Sequence, residues 1–290
     1  VSAETPLPKL THRDARIPKL ANKAISVIGM RRAGKTYFLH QQRAERIAAG
    51  KAPEQLLYLN FEDERLAGLT GADLGLIQSI HQSLYPEFAE GSLDYFLDEI
   101  QLIPGWERFA RRLLDEGVGE LFLSGSSAKL LSREIASSMR GRGWELPIHP
   151  FSFREYLRHH DAELTESMDR LTARKQALMD RRFADYLETG GFPESQGLNL
   201  TDRRQLLQGY VDVLLLRDII ERHKVSNVTA LRWMTRRLLA NPGCLFSITQ
   251  FDADLKSQGI PVSRETLYHF LAYMEDAFLL RAIPVATDSE

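Results

Sequence analysis

An apolar run of strand type, Ala24 to Ile28, feeds without interruption into Gly29-Met30-Arg31-Arg32-Ala33-Gly34-Lys35-Thr36. This junction constrains the chain more than any other feature. Glycines let the backbone curl until successive N–H groups point inward, and a helix that follows adds the positive end of its dipole. Residues Tyr37 to Ala49 carry apolar positions at helical spacing up to Gly50, so strand, glycine loop and helix stand in the order of a Walker A phosphate loop. On this reading Gly29 through Tyr37 cradle a nucleotide's phosphates. Lys35 brings an ammonium to the β and γ phosphates, and Thr36 offers a hydroxyl to Mg²⁺.

A second acidic element follows on the correct side. After a strand over Leu56 to Phe61 and a helix near Leu74 to Leu84, the run Leu93 to Ile100 is apolar and ends in Asp98-Glu99. At the carboxyl end of a strand beside the phosphate loop, Asp98 can hold the metal's shell and Glu99 can polarise an attacking water. A helix over Trp106 to Glu116 leads to another strand, Glu120 to Leu123, which closes on Ser124-Gly125-Ser126-Ser127. In a doubly wound sheet this end falls between the phosphate loop and the acidic strand. Ser126 is therefore the candidate γ-phosphate sensor and Ser124 the reserve; the serines also suit capping of a helix from Ala128 to about Met139. That helix ends in Arg140-Gly141-Arg142-Gly143 before a fifth strand, Trp144 to Ile148. Arg140 and Arg142 suit an arginine finger for a neighbouring subunit's nucleotide, or a helix end complementing its own dipole.

Composition bounds the remainder. A net charge of −2 leaves no uniformly basic surface, and a lone cysteine, Cys244, forms neither an internal disulfide nor a cysteine metal cluster. No apolar run reaches the length of a bilayer span and no signal-peptide order opens the chain, which points to a cytoplasmic protein without a membrane partner. The adjacent His159-His160 read as solvated residues rather than metal ligands.

Together, Gly-Met-Arg-Arg-Ala-Gly-Lys-Thr, Phe-Leu-Asp-Glu-Ile-Gln, Ser-Gly-Ser-Ser, Met-Arg-Gly-Arg-Gly and Pro-Phe-Ser-Phe-Arg-Glu-Tyr resemble a prokaryotic family of AAA+ ATPases known mostly as ATP-binding proteins. The resemblance runs from about Ile25 to about Ile283. It implies an α/β fold with a five-stranded parallel AAA+ sheet over residues 1–155, a helical lid over 156–228 and a winged helix over 229–290. It also implies, commonly, a further nuclease-like region, so a larger parent protein is expected. The cofactors implied are ATP and Mg²⁺. In place of a lid sensor arginine stands Gly190-Gly191-Phe192-Pro193, which places Pro193 at the nucleotide. Arg217, on a helix from Leu206 to Arg222, is a substitute sensor or an ion-pair partner of Asp218 or Glu221.

At the C-terminus, a helix over Thr249 to Ser257, a turn at Gly259-Ile260-Pro261, a helix capped by Ser263 and a strand from Phe278 to Val285 make a winged-helix pattern. Its second helix presents Arg264, Tyr268 and His269, which with Lys129 are the candidate DNA contacts. The leading expectation is a MgATP-hydrolysing, DNA-associated motor working as a homo-oligomer, a hexameric ring. The alternative is a nucleotide-controlled signalling or defence switch. A protein unfoldase ranks last, because the loop Glu62 to Gly71 offers no aromatic side chain for a pore.

Overall fold

The computed structural model describes residues 10–18, 20, 22–88, 93–125, 141–164 and 171–284. The chain divides into two compact units, Val1–Arg203 and Arg204–Glu290.

The first unit is built on five parallel strands, β1 (Ala24–Ile28), β2 (Leu56–Asn60), β3 (Asp94–Asp98), β4 (Leu121–Ser124) and β5 (Gly143–Pro147), in the order β2-β3-β4-β1-β5. Strands covered on both faces lose the alternation of a half-exposed sheet. Accordingly β1, β3 and β4 are buried at every position, whereas the edge strand β5 has buried only Leu146. Helices α1 (Lys35–Ala48), α2 (Gly75–Leu84) and α3 (Trp106–Asp115) connect the strands. Phe38 and Leu39 of α1 pack on Ile25, Val27, Phe96 and Phe122, and the last two rings stack at 4.8 Å. Helix α3 buries Trp106, Phe109, Ala110, Leu113 and Leu114.

The order matters for chemistry because β4 lies between β1 and β3, with Val27 beside Ser124 and Leu97 beside Leu123. The carboxyl ends of these three strands therefore lie side by side, as the position of the serine cluster required. Beyond β5, Ser152 caps α4 (Phe153–His159) by accepting from the Glu155 N–H, and Glu155 accepts in return from the Ser152 N–H. Helix α4 and helix α5 (Ala173–Thr189) share a cluster of Phe151, Tyr156, Leu157 and Met179.

The second unit is helical. The boundary between units falls inside α6 (Leu200–Val213), which continues as a π-helical stretch, Leu214–Glu221. A regular helix was expected from Leu206 to Arg222. Along this stretch Leu214, Leu215 and Ile219 are buried. Helices α7 (Val228–Ala240), α8 (Ile248–Ser257) and α9 (Arg264–Asp276) follow, with Met234, Phe251, Leu255, Leu267, Phe270 and Met274 buried among them. Ser263 caps α9 through the Thr266 N–H as expected. The strand expected from Phe278 is not formed: residues 278–284 make a turn and irregular chain. Phe278 is left-handed (φ 57), Pro284 has no N–H to give a ladder, and no strand of this unit lies among the described residues to pair with.

Candidate nucleotide site

The phosphate loop is shaped by two glycines that no other residue replaces. Gly29 (φ 149) lies so close to β5 that a Cβ would overlap the Ile148 carbonyl oxygen, and Gly34 (φ 99) forms the N-cap of α1 in the left-handed region. The loop closes on itself through Ala33 N–H to Met30 O at 3.2 Å. Lys35 is 6% exposed and folds along the loop, donating to the carbonyls of Gly29 (3.1 Å) and Met30 (3.2 Å). A helix's first turn leaves N–H groups with no intrahelical acceptor, so α1 opens a ready anion site where the loop ends.

Asp98 ends β3, 1% exposed, and its partners are neutral. Tyr58 of β2 donates to Oδ2 at 3.0 Å, and Ser124 of β4 donates to Oδ1. Burial and the adjoining carboxylate push the Tyr58 phenol far above its ordinary value, so Tyr58 stays a donor. Ser124 also accepts from the Glu99 N–H at 3.2 Å, which makes this hydroxyl the tie between β4 and both acidic residues.

Glu99 stands in the left-handed region (φ 53), uncommon for a side chain of this size. Its carboxylate accepts from Gln101 Nε2, while Gln101 Oε1 is buried without a hydrogen-bond partner among the described residues. Burial raises the proton affinity of Glu99 above the ordinary glutamate value, opposed by Lys35 and by the Gln101 hydrogen bond. A carboxylate raised in this way is a better base than an exposed one.

Lys35 and Glu99 border one cavity of about 570 Å³, which Arg31, Arg32, Gly34, Thr36 and Tyr37 also line. That volume lies within the range of small-molecule sites. The candidate metal ligands here are hard oxygens, the Thr36 hydroxyl and the Asp98 carboxylate, a set that suits Mg²⁺ and not a soft metal. The phosphate loop, the cationic rim and this donor set fit a magnesium nucleotide.

Apart from Pro193, the far wall of the cavity was not legible in the sequence. Thr11, Arg13, Phe151, His159, Pro193 and Glu194 form it. Arg13 is 5% exposed and binds four parts of the unit at once. Its guanidinium donates to Ala33 O of the phosphate loop (2.9 Å), to His149 O and to Glu155 Oε1 (3.0 Å), and lies over the Phe151 ring. Burial alone would raise the Glu155 carboxyl. The N–H groups of Asp14 and Ser152 and the Arg13 charge outweigh it and hold Glu155 below its ordinary value. The Gly-Gly-Phe-Pro turn is seated on the same support: Gly191 O accepts from Phe151 N–H (2.6 Å), and a Cβ at Gly191 would overlap Phe151 O. Glu194 then pairs with Arg32 at 2.9 Å. Pro193 thus lines the cavity. The signal available was the Ser152-x-x-Glu155 capping pair, which marks a fixed acidic side chain needing a cationic partner.

Other sequence candidates lie elsewhere. Ser126, Lys129 and Arg140 lie outside the described residues, as does the helix expected from Ala128 to Met139. Arg142 pairs with Asp115 at the amino end of β5. Arg217 is exposed on the π-helical stretch. Arg264 donates to Asp252 Oδ2 at 3.1 Å, beside Lys256 at 2.9 Å, whereas Tyr268 and His269 are exposed. His159 shares a 2.7 Å hydrogen bond with Thr11, and His160 lies 3.3 Å from Gln196 Oε1. Among the described residues no helix is long and apolar enough to cross a membrane.

The phosphate loop, the strand order and the acidic pair agree with the family comparison, in which residues 21–157 match the model of an AAA domain. The chain carries an AAA domain. Residues 180–290 match a second model, a domain of unknown function (DUF8612). An uncharacterized protein of Methanocaldococcus jannaschii is 33% identical over 94% of this chain and 59% of its own length. An uncharacterized protein of Haemophilus influenzae is 31% identical over 87% of this chain and 60% of its own length. The chain thus spans about three-fifths of the curated relatives it matches. Among solved structures, AMPPCP-bound DnaA from Aquifex aeolicus superposes with a TM-score of 0.34 at 13% identity, covering 88% of this chain and 82% of that one. The Aeropyrum pernix Orc1 protein in complex with DNA gives 0.35 at 15%, covering 88% and 78%.

Proposed function

We propose that the AAA domain binds MgATP and hydrolyses it, with Glu99 as the base. The observation that carries this reading is the junction of Lys35, Thr36 and Glu99 at one cavity, with Asp98 held by neutral hydroxyls behind it. Thr36 and Asp98 would hold the magnesium, which neutralises phosphate charge when bound. Lys35 leaves the loop carbonyls for the β and γ phosphates. Glu99 takes the proton of the attacking water, and Gln101 keeps its carboxylate in line. Ser124 fixes the spacing of the two acidic residues.

Arg142 is proposed to supply a further cation to the site in trans, Arg140 being the other candidate. In the parallel pairing of β5 with β1, Ala24 is level with Gly143 and Ile28 with Pro147. Arg142 therefore sits at the amino end of the sheet, about 20 Å along the strands from the phosphate loop. From there it is better placed for another copy's nucleotide than for its own. This geometry supports a homo-oligomer, and a hexameric ring is the proposed form.

Two uses of turnover are proposed. In the first, hydrolysis drives movement on, or remodelling of, duplex or branched DNA. In the second, ATP sets a switch through the Arg32–Glu194 pair, which joins the phosphate loop to the lid turn. Calorimetry with ATP and GTP in the presence of magnesium tests the site: the wild type should take up ATP and Lys35→Ala should not. Mixing tests the finger. Lys35→Ala and Arg142→Ala, each inactive alone, should regain ATPase together, and a mixture that stays inactive removes Arg142 from the role. Wild-type protein that takes up no nucleotide ends the whole reading.

A further inference from the structure

From Arg222 to Phe251 the chain contains no Asp or Glu, in a protein that has 39 of them. The same segment carries Arg222, Lys224, Arg232, Arg236 and Arg237. Helix α7 lies wholly within this stretch and buries Ala230, Leu231, Met234 and Thr235, so the opposite face is left to solvent. On that face stand Arg232, Arg236 and Arg237 around Trp233, whose indole is 46% exposed. Arg232 leans on Asp212 at 3.4 Å. Among the described residues, the Arg236 and Arg237 guanidinia have no hydrogen-bond or ion-pair partner. Arg236 borders a groove of about 440 Å³ against α6, and Arg237 a smaller cleft that Asp254 also lines.

Unpaired guanidinia on a solvent face keep their charge for a partner and choose phosphate well, because their planar fork matches its oxygens. An exposed indole between them supplies a flat apolar surface of the kind on which a base stacks. Helix α9, the candidate from the sequence, lacks this combination, since its Arg264 is engaged by the buried Asp252.

We propose that the exposed face of α7 is a nucleic-acid docking surface on which Arg236 and Arg237 take the phosphate backbone and Trp233 stacks on a base of a single strand. The proposal deepens the DNA half of the proposed function and is independent of the ATP half.

Fluorescence anisotropy of the full chain with a labelled single-stranded 20-mer and the matching duplex, over a salt series, tests it. Binding should weaken with salt, and Arg236→Glu/Arg237→Glu should bind at least about tenfold more weakly. Losing two phosphate contacts should also flatten the log–log salt slope by about 1.8 on duplex and about 1.4 on the single strand. Arg236→Lys/Arg237→Lys should retain most of the affinity. Trp233→Leu should cost about tenfold on the single strand and little on duplex. Unchanged melting temperatures report that these exposed substitutions leave the fold intact.

Wild-type binding that survives both charge reversals with its slope unaltered overturns the proposal while leaving DNA binding in place. Equal, Arg236- and Arg237-dependent capture of polyglutamate in place of either oligonucleotide assigns the face to an acidic protein and also overturns it. No DNA binding by the wild type at low salt removes both this surface and the DNA reading, whereas ATP uptake lost in Lys35→Ala still stands for the nucleotide site.

Discussion

Strand β3 begins and ends with a buried aspartate, and the two are treated in opposite ways. Asp94, at the amino end, is surrounded by cations: Lys51 lies at 2.8 Å and Arg46 at 3.3 Å, and the Glu120 N–H donates at 2.7 Å. Asp98, four residues along, receives among the described residues only the hydroxyls of Tyr58 and Ser124. A carboxylate already neutralised by protein cations has little left to offer a metal. One held by neutral donors keeps its charge and its geometry while waiting for a cation. Burial alone therefore does not distinguish a structural acid from a functional one, and the charge of its partners does.

Several substitutions would break or sharpen this contrast. The largest effect is expected from Asp98→Asn, which should lower kcat for magnesium-dependent ATP hydrolysis by about 100-fold or more while the melting temperature changes little. Asp94→Asn should do the reverse. Removing one partner from a buried charge cluster costs roughly 3 kcal/mol, visible as a lower denaturant midpoint, with activity per folded molecule retained. If Asp94→Asn instead abolished hydrolysis in well-folded protein, the distinction would fail.

A smaller effect is expected from Ser124→Ala. It leaves Asp98 less firmly held and frees the Glu99 N–H, so kcat should drop by about tenfold, with ATP affinity little altered. Gln101→Ala should produce the mildest change, and one with a direction. Burial already raises Glu99, and the Gln101 hydrogen bond opposes that rise, so its loss should move the acid limb of the ATPase pH profile further up. Because the folded state binds this proton more tightly than the unfolded chain, Glu99 contributes stability below the ordinary glutamate pKa that is lost as pH rises through its own raised value. Glu155 carries the opposite sign. Its folded value is depressed, so its contribution is present above the ordinary pKa and is lost as pH falls through the lower one. Glu155→Gln should accordingly flatten the decline of melting temperature in acid.

The sheet and the phosphate-facing side of the site were legible because local rules decided them. β1 ends where its apolar run ends, α1 begins at the glycine loop, and Asp98 and Glu99 close an apolar strand that needs no distant information. Arg13 was illegible for the opposite reason. Its partners Ala33, His149 and Glu155 lie 20, 136 and 142 residues away, and nothing near Arg13 in sequence reports them. The expected strand at Phe278 failed because a short apolar run specifies burial without specifying a ladder partner. The acid-free stretch around α7 was readable throughout, but it is a missing residue type spread over three helices, and motif spacing does not register it.

The turn at Gly190–Pro193 has a consequence for how this chain can be cut or recombined. The matched AAA domain stops at residue 157, yet one wall of its cavity is furnished by Pro193 and Glu194, seated through Gly191 on Phe151. A fragment trimmed at that border would present phosphate-binding machinery with an unfinished pocket. A chimera that borrowed this AAA domain would have to import the donor's helical segment through residue 194, or else accept a foreign loop at that wall of the cavity. The heritable module is therefore longer than the stretch of sequence by which its family is recognised.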